Sequence, residues 1–159
     1  MSPIRRFLLA LLGGASLPAV AGNFFPDNYK TFPFDEGDLL ASQDAAGRFG
    51  VNQVLKIDRI RVKKGDVVSF QGQRFTATED DFYLVVGCSY GEHEYDSLEQ
   101  ARAAATTGRW NVHVGHTPNR APGAAAGQTK IGHRAVRDSD LAGYRVWREA
   151  FDKGEAGVF

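Results

Sequence analysis

Most of the side chains that could do chemistry in this chain lie in its second half. All four histidines, His93, His113, His116 and His133, fall there, and Cys88, Glu92 and Glu94 accompany the first. Imidazole, thiolate and carboxylate groups are ligands for zinc or copper, and three or four of them converging would make a metal site. Cys88 could instead act as a nucleophile with His93 or His113 as its base and Glu94 or Asp96 orienting the ring, since a thiol needs an adjacent imidazole to attack. Glu92 and His93 could also support hydrolysis at the end of a strand. Neither order nor spacing selects among these. His113 and His116 have opposite parity on an unbroken strand, so both reach one ion only if Gly115 turns the chain. Gly87 to Gly91 lacks the lysine and spacing of a nucleotide loop.

The same region offers a binding surface. Tyr90, Tyr95 and Trp110 carry rings that stack on a sugar, another aromatic or an apolar side chain, while His93, Arg109, His113 and His116 can direct hydrogen bonds. We therefore read residues 87–95 and 110–117 as a ligand- or partner-binding surface, with no catalytic residue assigned, any metal ligands left open and no cofactor implied. The alternative is a small metal-binding protein or hydrolase built from the His/Cys-rich half.

The elements that must position these residues follow from apolar periodicity. Residues 22–50 hold Phe24, Phe25, Tyr29, Phe32 and Phe34 without a sustained period and read as an irregular, aromatic-rich arm packed on the domain. Leu55 and Ile57 share one strand parity and Ile60 and Val62 the other, which predicts a bulge at Asp58-Arg59 or a break into two strands. A two-residue turn at Gln71-Gly72 places Val68, Phe70, Phe75 and Ala77 on one hairpin face, with Val68 opposite Phe75. Phe82 to Val86 is apolar on both faces and predicts a covered central strand. Ser97 and Gln100 form a capping-box pattern for a helix from about Ser97 to Thr106, ended by Gly108. Trp110, Val112 and Val114 alternate as a further strand. Residues 117–130, with two prolines, two glycines and no large apolar side chain, predict a long mobile loop. Leu141, Tyr144, Trp147 and Phe151 form a helical stripe, against a competing strand through Tyr144 to Val146. The sum is a single α+β domain over residues 51–159: a mainly antiparallel sheet of four to six strands, with one or two helices packed on one face.

The first residues bear on location. Arg5-Arg6, the apolar run Phe7 to Leu12 and the small residues of Ala19-Val20-Ala21 have the order of a signal peptide, removed after Ala21. Export makes the protein periplasmic or secreted, in a bacterial cell envelope where an envelope protein or a glycan is an available partner. Once Ala21 is cut, no transmembrane segment is expected, and the single Cys88 cannot form an intrachain disulfide. Loss of Arg5 and Arg6 lowers the basic count from 19 to 17 against 19 acidic residues, a formal charge of −2. That balance argues against a nucleic-acid partner, which concentrated positive charge would attract. Protein recovered from the exported fraction is expected to begin at Gly22 by N-terminal sequencing; a chain that keeps Arg5-Arg6 would overturn the cleavage.

Overall fold

The computed structural model describes residues 24–70 and 72–159. The expected signal segment, residues 1–21, lies outside them. The fold is α+β. A five-stranded sheet is built from β1 (Asp38–Gln43), β2 (Phe49–Val62), β5 (Asp81–Gly91), β6 (Val112–Arg120) and β7 (Thr129–His133), in the order β6-β5-β2-β1-β7. β1 runs antiparallel to both β2 and β7, and β5 runs antiparallel to β6. β3 (Val67–Phe70) and β4 (Gln73–Thr76) form a separate two-stranded sheet. Among the described residues there are three α-helices: α1 (Leu98–Thr107), α2 (Ala121–Ala125) and α3 (Ala142–Asp152).

The chain divides into two compact units. The smaller takes residues 61–81 with the segment ending at Pro26; the larger takes residues 27–60 and 82–159. In the smaller unit the hairpin has the register its sequence dictates, Val68 opposite Phe75 and Phe70 opposite Gln73. Gly72 at the turn has φ +73°, a conformation that glycine adopts without a Cβ penalty. Paired bonds between residues 65–66 and Ala77 continue the ladder at its open end.

In the larger unit the sheet buries apolar side chains on both faces. One cluster joins Leu39, Ala41, Val51 and Ile131 to Ala101 and Ala105 of α1 and to Trp110. The alanines let the helix backbone approach the sheet closely. Ser97 Oγ accepts from Gln100 N (3.1 Å), Gln100 Oε1 accepts from Asp96 N (3.0 Å), and Gly108 closes the helix at φ +67°. The other cluster joins Leu40, Val54, Val86 and Cys88 to Ala121 and Ala124 of α2, with Phe32 and Phe34 packed against it.

Three local expectations are corrected and a fourth is met. Regular structure starts at β1, inside the arm read as irregular to residue 50. Leu39, Leu40 and Ala41 are too few to show a period, yet β1 lies between β2 and β7 and is buried on both faces. β2 is one continuous strand, and its parity changes earlier than expected, since Val54 and Ile57 meet the same cluster. Residues 117–130 form the second half of β6, then α2, then the start of β7. Ala121 and Ala124 are the buried contacts of α2, and Pro118 is tolerated because β6 is an edge strand. Finally, the stripe Tyr144, Trp147 and Phe151 belongs to a helix, α3, and the competing strand does not form.

Leu40→Ala removes a fully buried side chain and is expected to cost about 2–5 kcal/mol in denaturant melts. Val146→Ala, on the exposed side of α3, should stay within about 0.5 kcal/mol.

Candidate functional site

β6 is the element around which the expected surface residues are arranged. It pairs with β5 through two register slips, one between Cys88–Thr117 and Tyr90–Val114, the other between Tyr90–Val114 and Gly91–Val112. Each slip gives β6 one more residue than β5, as β-bulges do. The simple alternation expected of Trp110, Val112 and Val114 therefore fails. Trp110 precedes the strand and is 7 % exposed within the α1 cluster, whereas Val112 and Val114 are 50 % and 39 % exposed. Trp110 is a core side chain and offers no stacking face. The Arg134 guanidinium lies 5.9 Å from its ring centroid.

The seven expected surface residues do not form one patch. Tyr90 is half-buried on the opposite core cluster from Trp110, and its hydroxyl accepts from Asn119 Nδ2 at 3.1 Å. Tyr95 exchanges two backbone hydrogen bonds with Phe49 and packs against the α1 cluster. Arg109 is exposed at the end of α1, its N–H bonded to Ala104 O. His113 is exposed and lies 3.3 Å from Glu92 Oε1 through Nδ1. His93 is exposed and meets Ser42 Oγ through Nε2 at 3.3 Å.

His116 is held differently. Its ring lies over Gly87, where a Cβ would stand 2.5 Å from Nε2, and a Cβ on Gly143 would stand 2.8 Å from the His116 Cβ. Tyr144 and Trp147 of α3 pack on the ring with centroids 5.8 and 5.6 Å away. Nε2 is buried with no hydrogen-bond partner among the described residues. Burial lowers the imidazole pKa, and the nearby Asp58 carboxylate offsets part of that effect. Asp58 accepts from the Tyr144 hydroxyl at 3.1 Å and lies 3.9 Å from Arg148. His116 thus fastens α3 to the sheet and is not offered to a ligand.

Neither the metal nor the cysteine chemistry is assembled. Among the described residues, no group of three or more His, Cys, Asp or Glu side chains is placed to hold an ion. Cys88 is buried, and burial pushes its thiol up to about 12 against a smaller opposing effect of the Tyr90 hydroxyl. A thiol held so strongly protonated is a poor nucleophile.

The structure adds two polar clusters beside β1. At the β1–β7 pairing, Asp38 is 1 % exposed. Its Oδ1 meets Lys130 Nζ at 2.9 Å and His133 Nδ1 at 3.0 Å, while Oδ2 accepts from Asp35 N at 2.9 Å. Burial alone would raise the carboxyl pKa, but the Asp35 amide, His133 and Lys130 together bring it below the ordinary value. Beside Ser42, the buried Asn52 donates to Gln128 Oε1 at 2.9 Å. No local motif announces either cluster, because the partners lie on different strands and only the β1 pairings bring them together.

The fold and these clusters define a small α+β protein whose sheet ends in a bulged strand with exposed valines. Compared with family models, curated proteins and solved structures, the chain matches none. No described helix is long and apolar enough to cross a membrane.

The His116 site predicts a pH dependence. Its folded pKa is depressed, so the unfolded chain takes up a proton that the native ring resists as pH falls below about 6.5. His116 therefore stabilises the fold fully above that pH, and the contribution drains as pH falls toward the native pKa. Thermal melts at pH 7.5 and 5 should show a smaller drop in His116→Gln than in the wild type; equal drops would refute the assignment.

Proposed function

We propose that the protein is an exported binding module of the bacterial cell envelope, taking an extended segment of a partner polypeptide onto the edge of β6. The observation that carries this reading is that the edge already receives an extended segment of its own chain. Phe159 N donates to Pro118 O at 3.0 Å and Arg120 N donates to Phe159 O at 2.8 Å, the reciprocal pattern of a strand pair. Trp147 Nε1 donates to Gly157 O at 2.9 Å and helps hold that segment in place.

Beyond this short pairing, the outer side of Val112 to His116 has no second strand among the described residues. An unpaired strand edge with exposed apolar side chains is a template for strand addition: main-chain hydrogen bonds supply affinity and alternate side chains supply selectivity. Val112 and Val114 are the apolar contacts of such a site. His113 with Glu92 supplies polar ones. The bulges keep the edge from being a flat, generic template, which suits a selective partner over indiscriminate aggregation.

The test places a photo-crosslinking residue at position 113 in protein exported in its native compartment. A discrete adduct is expected at 113 and not at position 102, on the exposed side of α1. The double substitution Val112→Lys, Val114→Lys charges the edge and should reduce that adduct at least about tenfold while leaving the thermal midpoint nearly unchanged. Equal adducts at 113 and 102, or capture indifferent to the lysines, would refute the reading.

A further inference from the structure

We infer that Ser42 and His93 form a nucleophile–base pair that acts on carboxylic esters. The inference is independent of the β6 edge and rests on Ser42, Gly50 and Asn52, placed by the β1–β2 pairing, and on His93, which follows β5 and lies over Gly50.

Ser42 stands directly across from Gly50. Because residue 50 has no side chain, the His93 imidazole lies over its backbone: a Cβ there would stand 3.2 Å from Cδ2 and 3.3 Å from Cγ of the ring. The ring is thereby laid on the sheet with Nε2 at 3.3 Å from Ser42 Oγ. Hydroxyl and imidazole within hydrogen-bond reach are the first requirement of serine nucleophilic catalysis.

Asn52 also reaches the Ser42 hydroxyl. It is 1 % exposed and diagonal to Ser42 on the neighbouring strand. Its Nδ2 donates to Gln128 Oε1 at 2.9 Å and to Ser42 Oγ at 3.4 Å. An amide nitrogen can only donate, so Ser42 accepts from Asn52 and has its own O–H available for His93. With that O–H turned to the ring, the imidazole accepts at Nε2 and carries its proton on Nδ1, the form a general base requires. Asn52 Oδ1 is buried without a hydrogen-bond partner among the described residues. An uncompensated buried carbonyl costs stability, a cost set against the bonds that Nδ2 makes to Gln128 and Ser42.

The chemistry balances with water as the only co-reactant. Ser42 Oγ bonds to the acyl carbon as its proton passes to His93 Nε2. The ester C–O bond breaks, and the departing alcohol takes the proton from Nε2. Water then attacks the acyl-serine, giving one proton to Nε2. That proton returns to Ser42 Oγ as the carboxylic acid leaves. Ser42 is half-buried and His93 exposed, so the pair is open to small or extended acyl groups at the surface. Ser42 and His93 are the reacting residues and Asn52 a positioning residue.

The test uses a fluorophosphonate probe with peptide mass spectrometry, and p-nitrophenyl acetate as the ester, with heat-denatured protein as the blank. A single covalent adduct on Ser42 is expected, and it should form at least about 100-fold more slowly in His93→Gln. Ser42→Ala should lose the adduct and the p-nitrophenol release together. Asn52→Asp keeps the shape but not the donor, and should lower the labelling rate at saturating probe without raising the probe concentration at half-saturation. Circular dichroism of each variant identifies any that has not folded, and His93→Asn then replaces His93→Gln. No adduct on Ser42, or an adduct whose rate ignores His93, would overturn the pair.

Discussion

Three imidazole rings in this protein lie where a β-carbon would otherwise stand. His93 covers Gly50, His116 covers Gly87 and His133 covers Gly37. Each contact crosses between strands or their ends, and each depends on bare backbone on one side. At Gly37 the backbone also has φ +94°, so conformation and space both favour glycine. At Gly50 and Gly87 space alone decides. Alanine at 87 would drive into the far edge of the His116 ring and push that ring toward Tyr144 and Trp147, so the docking of α3 on the sheet depends on an absent methyl group on β5.

The two faces of the sheet use this constraint differently. On the face covered by α1, small alanines and Trp110 make a dry contact with Leu39, Ala41 and Val51. On the other, Leu40, Val54, Val86 and Cys88 pack under the short α2 and two phenylalanines. Polar groups are admitted near β1, where Asp38 is met by three donors and Asn52 by Gln128. A buried carboxylate is tolerable when its partners replace water. Such groups favour one arrangement of β1 against its neighbours, because a one-residue slip would turn every one of them to the wrong face.

What the sequence revealed divides by distance along the chain. The β3–β4 hairpin, the capped α1 and the α3 stripe are set by neighbours within a turn or two, and all were legible. β1 and α2 were not. β1 is short and apolar on both sides, which erases alternation, and α2 buries only alanines, which carry little hydropathy. The histidines were visible as residues, but their partners were not: Ser42 and His93 are separated by 51 positions, and Asp38 and His133 by 95. A glycine gives no sign in sequence of which ring will lie upon it. Trp110 shows the opposite failure, since its alternation with Val112 and Val114 was sound for a regular strand and was cancelled by the bulges of β6.

The burial of Cys88 has a practical consequence for following how this fold moves. The thiol sits on β5, opposite Thr117 of β6, and is both covered and strongly protonated. An alkylating reagent reaches it only when that part of the sheet opens. With no other cysteine in the chain, the rate of its modification is a built-in clock for opening near β5, in the sense in which amide exchange reports local unfolding. The residue that first invited a catalytic reading is better used as a reporter of breathing in the sheet.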